Sequence, residues 1–135
     1  MTQLPKIVVS TRDAERLEAL LHGLPAGDRW AHLGLSEELA RATVVEPGQV
    51  PPSVVTMNSV VRFTMPPTDK IHEARLCFPA EVGAGNDRLS VLTPVGTALL
   101  GLSEAQEIAW KGPAGKPITL RVEEVVFQPE RSALV

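Results

Sequence analysis

One stretch divides this chain and constrains what each side of it can become. Residues 46–52 read Glu46-Pro47-Gly48-Gln49-Val50-Pro51-Pro52. Prolines at 47, 51 and 52 remove backbone donors and push their preceding residues out of the helical region, so no regular helix or central strand crosses this point. Before the break apolar residues recur with a helical period; after it they alternate as in strands. A chain of 135 residues split in this way has room for a small helical unit and one modest β-rich domain. The expected division is 1–46 for a strand-like lead and a helical hairpin, 47–53 for a linker, and 54–135 for the second domain.

Ahead of the break, the apolar lead Ile7-Val8-Val9 runs into Ser10-Thr11-Arg12-Asp13, a helix cap with a carboxylate three residues on. Ala14, Leu17, Leu20, Leu21 and Leu24 then share one helical face, with Arg12, Glu15, Arg16 and Glu18 turned outward. Gly23 and Pro25-Ala26-Gly27 end that helix. A second starts near Asp28 or Ser36, carries Leu35, Leu39 and Ala42 as its stripe, and runs to about Thr43. Two short amphipathic helices joined by a tight turn pack antiparallel to hide their stripes. At about 1.5 Å per residue, each arm reaches only about 15–25 Å.

Beyond the break, Val61, Phe63 and Met65 lie on one face of a strand, and Pro66-Pro67-Thr68-Asp69 turns the chain. Ala74, Leu76 and Phe78 share a face of the next strand, followed by Gly83-Ala84-Gly85-Asn86-Asp87. Leu89 to Leu92 reads as a short strand. Thr93-Pro94 supplies an N-cap and a first-turn proline, and the compact helix from Val95 to Leu100 closes at Gly101. Ile108 to Trp110 and Ile118 to Phe127 form a hairpin around Gly112-Pro113-Ala114-Gly115. The last strand changes phase at Glu123-Glu124, which predicts a bulge or an edge. The expected fold is α+β: a helical hairpin, then an antiparallel sheet crossed by one short helix.

Composition and charge exclude several kinds of function. Residues 1–50 hold five basic and seven acidic side chains, residues 51–135 eight and nine, for a formal charge of −3. Neither half offers the footprint a nucleic-acid backbone needs, so no direct, sequence-specific nucleic-acid binding is expected. No run approaches the roughly 18 apolar residues of a membrane span, and the first ten residues lack a signal-peptide build. Five aromatics (Trp30, Phe63, Phe78, Trp110, Phe127) and no tyrosine leave little with which to stack bases, sugars or prolines. Cys77 stands alone, which leaves no intramolecular disulfide and fits a reducing cytoplasm; within Leu76-Cys77-Phe78 it reads as a buried packing thiol.

Tests for catalytic chemistry return little. His22, His32 and His72 have no partners at metal-ligand spacing, so neither metal nor cofactor is expected. Gly112-Pro113-Ala114-Gly115-Lys116-Pro117 has two residues between its glycines where a phosphate loop has four, and Pro117 stands where the magnesium-binding hydroxyl belongs. Gly83-Ala84-Gly85 is not followed by a helix. Ser90 and Ser103 have no neighbouring His or Asp to activate them. Glu37-Glu38 and Glu123-Glu124 read as solvated faces or edge protection. Asp28, Arg29 and Trp30 mark the hairpin tip. Asp28 either caps the second helix or is presented to a partner, and Trp30 either contacts a partner or folds back onto the helices.

A family resemblance supplies what chemistry does not. Leu89-Ser90-Val91-Leu92-Thr93-Pro94-Val95-Gly96-Thr97-Ala98-Leu99-Leu100-Gly101-Leu102 resembles the signature of the bacterial GreA/GreB C-terminal domain: a strand, Ser-Pro, then a helix ending Ala-Leu-Leu-Gly. Gly112 to Gly115, with the strand through Val125-Val126-Phe127-Gln128-Pro129, is similar to that family's closing hairpin. Val54-Val55-Thr56-Met57-Asn58-Ser59-Val60-Val61-Arg62-Phe63 is similar to the Rnk subfamily, regulators of nucleoside diphosphate kinase.

The resemblance implies an FKBP-like C-terminal domain behind an N-terminal antiparallel coiled coil. Gre factors dock that domain on a coiled coil of the RNA polymerase β′ subunit, at the rim of the secondary channel. Their long hairpins carry two acidic residues toward the active centre, where they help hold the Mg²⁺ that drives transcript cleavage. Carried onto this chain, the docking surface centres on Thr93 and Pro94, with Val95 and Leu99 in the adjoining helix. Leu92 stands where Gre factors commonly have an acid. The tip offers Asp28 beside Arg29, not an acidic pair, on arms several times shorter than Gre arms. The implied function is a non-enzymatic, polymerase-binding transcription elongation regulator that occupies the channel entrance without stimulating cleavage. The alternative is control of nucleoside diphosphate kinase and nucleotide pools, by direct binding or through gene expression. Prolyl isomerisation follows only from fold analogy.

Overall fold

The computed structural model describes residues 6–23, 29–66, 69–84, 87–111 and 117–129. The order is β1 (Val8–Ser10), α1 (Thr11–His22), α2 (Arg29–Arg41), β2 (Thr43–Val45), β3 (Val60–Thr64), β4 (His72–Cys77), β5 (Arg88–Ser90), α3 (Pro94–Leu99), β6 (Glu107–Lys111) and β7 (Pro117–Phe127). Short 3-10 turns stand at Pro47–Gln49 and Pro79–Ala84. The α+β reading holds. Among the described residues, no helix is long and apolar enough to cross a membrane.

The helical half begins as its sequence requires. Ser10 caps α1, its hydroxyl accepting the Asp13 N–H, and Leu17 and Leu21 are buried. What periodicity did not reveal is that the lead and the tail of this half pair with each other. β1 and β2 form a parallel two-stranded sheet with Val8 opposite Thr43 and Ser10 opposite Val45. The second helix therefore stops at Arg41, and Thr43, expected at its end, opens a strand.

The break at residues 46–52 leads into a stretch sewn to the rest of the molecule. Val55 N–H donates to Leu102 C=O at 2.8 Å, and Gly101 N–H donates to Val55 C=O at 2.9 Å. Asn58 adopts a left-handed φ of 68°, with its N–H on the Leu76 carbonyl. Gln128, beyond β7, donates its Nε2 to the carbonyls of Pro51 and Val54 at 2.9 and 2.8 Å.

The larger sheet has the order β5-β4-β3-β7-β6. It is mixed, which corrects the all-antiparallel expectation: β5 runs parallel to β4, with Arg75 opposite Arg88 and Cys77 opposite Ser90. The reason is the 3-10 crossover at Pro79–Ala84, which returns the chain to the strand's starting end where a hairpin would have reversed it. β7 skips a residue at Glu123 and again at Val126 against β3, so the phase change read from the sequence is a bulge. It is not an edge, because β7 lies between β3 and β6. One apolar cluster spans both halves: Ile7, Leu17 and Leu35 join Met57, Leu76, Leu99, Leu102 and Leu120.

A capped corner, a short arm and the joint between them

The corner at Thr93 is built by the local rules its sequence advertises. Thr93 caps α3: its Oγ1 accepts the Gly96 N–H at 3.0 Å and donates to the Ser90 carbonyl at 2.7 Å. Pro94 takes the first helical position, where its missing N–H costs nothing. The chain folds back so closely that a Cβ on residue 96 would overlap the Ser90 carbonyl oxygen, so glycine is required there. Thr97 Oγ1 ties the helix to the Val91 carbonyl at 2.6 Å.

Three of the four residues expected on a docking surface come to the outside together. Pro94 is exposed, and Thr93 and Val95 are half-buried beside Leu92. Leu99 is not available to a partner. It is 0% exposed, because α3 lays its far turn against the core and this side chain fills it. Leu99 holds the corner in place from beneath.

The arm is short. Twelve residues in α1 and thirteen in α2 correspond to about 18–20 Å at 1.5 Å per residue. Arg29 and Trp30 occupy the first turn of α2. Asp28, the single acid expected at the tip, lies outside the described residues, as do Leu24 and the Gly112–Lys116 loop.

Asp13 makes the joint between arm and domain. Its carboxylate is 3% exposed, and Oδ2 accepts the Met57 N–H at 3.2 Å across 44 residues of sequence. Around it, Val8 N–H donates to Gly101 C=O at 3.2 Å, and Thr43 N–H donates to Ile7 C=O at 2.9 Å. Gly101 has φ +80°, and a Cβ there would sit 2.7 Å from the Ile7 Cβ. Two backbones meet there because a side chain is missing. In sequence Asp13 reads as the carboxylate of a helix cap. The available signal was its spacing, four residues before Leu17 and eight before Leu21, which places it on the apolar stripe.

Glu38 corrects the solvated-face reading of Glu37-Glu38. Glu37 is exposed, but Glu38 is 1% exposed and pairs with Arg41 at 2.9 Å. Burial pushes its pKa above the usual carboxylate value, and Arg41 opposes part of that rise. Its position three residues after Leu35 on the same face was the clue. Glu123 and Glu124 are both exposed, as a solvated face, but protect no edge, since β7 is an inner strand. Glu124 and Glu73 flank Arg62 at 3.4 and 2.8 Å, and Glu123 accepts Thr64 Oγ1 at 2.9 Å.

Groups tested for chemistry take structural places. Cys77 is buried, and desolvation raises its pKa. The His72 ring stacks on Phe63 at 5.3 Å. Ser90 Oγ accepts the Leu92 N–H at 3.1 Å. Among the described residues, no three His, Cys, Asp or Glu side chains gather as a metal site. An open depression of about 280 Å³ near Thr64, Ile71 and Arg121 is lined by Asp69, Glu107 and Glu123, unlike the apolar concavity of a small-molecule site.

Comparison with known proteins places this architecture. Residues 50–127 match the family model described as transcription elongation factor, GreA/GreB, C-terminal, and residues 5–45 match the Rnk N-terminus. The regulator of nucleoside diphosphate kinase of Escherichia coli strain K12 is 40% identical over 131 residues, 93% of this chain and 93% of that protein. Transcription elongation factor GreA of Thermodesulfovibrio yellowstonii is 32% identical over 94 residues, 70% of this chain and 59% of that protein. Among solved structures, a prokaryotic transcription elongation factor GreA/GreB from Nitrosomonas europaea is similar, with a TM-score of 0.69 and 44% identity over 91% of this chain and 99% of that one. The chain belongs to the GreA/GreB C-terminal domain family, with a Rnk-type N-terminus ahead of that domain.

Proposed function

We propose that this protein is a non-enzymatic transcription regulator that binds RNA polymerase at the entrance of the secondary channel, through the corner formed by Thr93, Pro94 and Val95. The observation that carries the reading is the pairing of an exposed, rigidly capped corner with an arm of only about 18–20 Å. Metal-assisted cleavage needs carboxylates within about 2.0–2.1 Å of Mg²⁺. An arm this short, with one acid at its expected tip, competes for the entrance without delivering such ligands. The similarity to proteins named transcription elongation factor GreA supports the choice of partner.

The test is co-elution of the purified protein with RNA polymerase core, followed by competition with a Gre factor. Binding and displacement, with no shortening of stalled transcripts, are expected. Failure to bind the core, or transcript cleavage above the level of polymerase alone, overturns the reading. Pro94→Ala should weaken binding while circular dichroism shows the fold intact.

A second reading is supported by the 40% identity to a protein named regulator of nucleoside diphosphate kinase. A direct binding assay with purified kinase separates the two.

A further inference from the structure

The outer face of the five-stranded sheet sets two arginines side by side. Arg75 on β4 and Arg88 on β5 are direct register partners, so they stand side by side on one face, about 5 Å apart at their bases. Like charges set opposite each other oppose sheet formation, and elsewhere on this sheet the arginines are matched. Arg62 lies between Glu73 and Glu124, and Arg121 lies beside Glu123.

No carboxylate answers Arg75 or Arg88 within ion-pair distance among the described residues. Arg75 uses neutral partners: it donates to the Asn58 carbonyl at 3.1 Å, and its guanidinium lies 5.4 Å from the centre of the Phe127 ring. Among the described residues, Arg88 Nε is buried with no hydrogen-bond partner. A buried guanidinium donor left empty is costly, and the usual occupant is a carboxylate or phosphate gripped by the planar fork.

The surroundings choose between those occupants. Register places Arg88, Arg75, Val60 and Phe127 in one row across four strands. Phe127 and the bulged Val126 beside it are 38% and 40% exposed. Glu73, Glu81 and Glu124 are also close by on this half of the molecule, and they repel a polyanionic nucleic-acid backbone. The open row has no described apolar cavity to enclose a nucleotide base. One carboxylate on an otherwise apolar segment satisfies both the cations and the exposed rim.

We propose that Arg75 and Arg88 form a carboxylate-receiving site for an acidic, apolar-flanked segment of a protein partner, docking beside Phe127. For the identity of that partner the proposal rests on the polymerase reading, which makes polymerase core the first to test. It adds a second contact surface to the corner at Pro94.

Arg88→Glu is the informative variant, since among the described residues Arg88 Nε has no hydrogen bond that the substitution would break. Binding to polymerase core should fall at least roughly tenfold, as for loss of a desolvated charge contact. Arg88→Gln should fall by less. Circular dichroism checks the fold, and Arg88→Gln serves as the test variant if Arg88→Glu does not fold. An intact Arg88→Glu or Arg88→Gln protein that binds like wild type overturns the proposal.

If wild type itself does not bind the core, the polymerase reading fails, and the site is then judged by a separate titration. Arginine Nε–Hε resonances are followed by nuclear magnetic resonance while acetyl-Leu-Glu-Leu-amide is added. A saturable shift at Arg88, absent with the Gln-for-Glu peptide, supports the site. No shift, or an equal response to inorganic phosphate at the same concentration, overturns it.

Discussion

Replacing Asp13 by alanine tests how the arm is held to the domain. The carboxylate is 3% exposed and accepts the Met57 N–H, and Met57 is itself 1% exposed. Water cannot take over that N–H when the side chain is truncated. A hydrogen bond to a charged group contributes about 1.5–3 kcal/mol, and an orphaned buried donor costs about 1–3 kcal/mol. These figures describe overlapping parts of one loss, so about 2–3 kcal/mol is expected in all. The cap of α1 survives, because it is the backbone N–H of Asp13 that donates to Ser10 Oγ at 3.0 Å. With a urea slope of about 1–3 kcal/mol per M, the unfolding midpoint should drop by about 0.7–3 M. Ser10→Ala is the matched control; it loses the cap alone, about 1 kcal/mol. Asp13→Asn keeps a carbonyl acceptor and should fall between wild type and alanine. If Asp13→Ala unfolds within about 0.5 kcal/mol of wild type, the joint is not held as described.

Other consequences are equally direct. Gly96→Ala forces a methyl group into the Ser90 carbonyl, and should cost about 1–3 kcal/mol in urea unfolding; a neutral result would mean that the turn opens freely. Thr93→Ala should cost about 1 kcal/mol through loss of the cap to Gly96. The pKa of Glu38 is raised by burial, so its contribution to stability is present below the unfolded value of 4.5 and is lost as pH rises through the folded one. Wild type should therefore gain stability relative to Glu38→Gln as pH falls from about 7 toward 4.5, and a flat difference in denaturation midpoints would contradict this. Cys77, buried and with its thiol pKa raised, should resist a disulfide reagent at neutral pH until denaturant is added. Rapid labelling of the native protein would refute its burial.

What the sequence determined by itself is local. Ser10 and Thr93-Pro94 announce their helices because capping is settled within three or four residues. The prolines of residues 46–52 bar a regular helix or central strand there, and the chain makes only a 3-10 turn at Pro47–Gln49. The phase change at Glu123 announces its bulge because side-chain alternation is a property of one strand.

What only the tertiary structure decided depends on partners far along the chain. Thr43–Val45 is a three-residue strand, too short to carry a period, and the strand legible near Leu89 does not declare its direction. Their parallel pairings with β1 and β4 exist only once the intervening segments have folded back. Asp13 and Glu38 look like surface acids until an N–H from residue 57 and the close of the core remove them from water. Leu99 shares its short helix with Pro94, yet one faces the core and the other the solvent. Arg75 and Arg88 lie in different strands with nothing in sequence to link them, and register alone makes them neighbours. Caps and periods are read within a turn or two of chain; burial and charge pairing are set by whichever distant segment arrives.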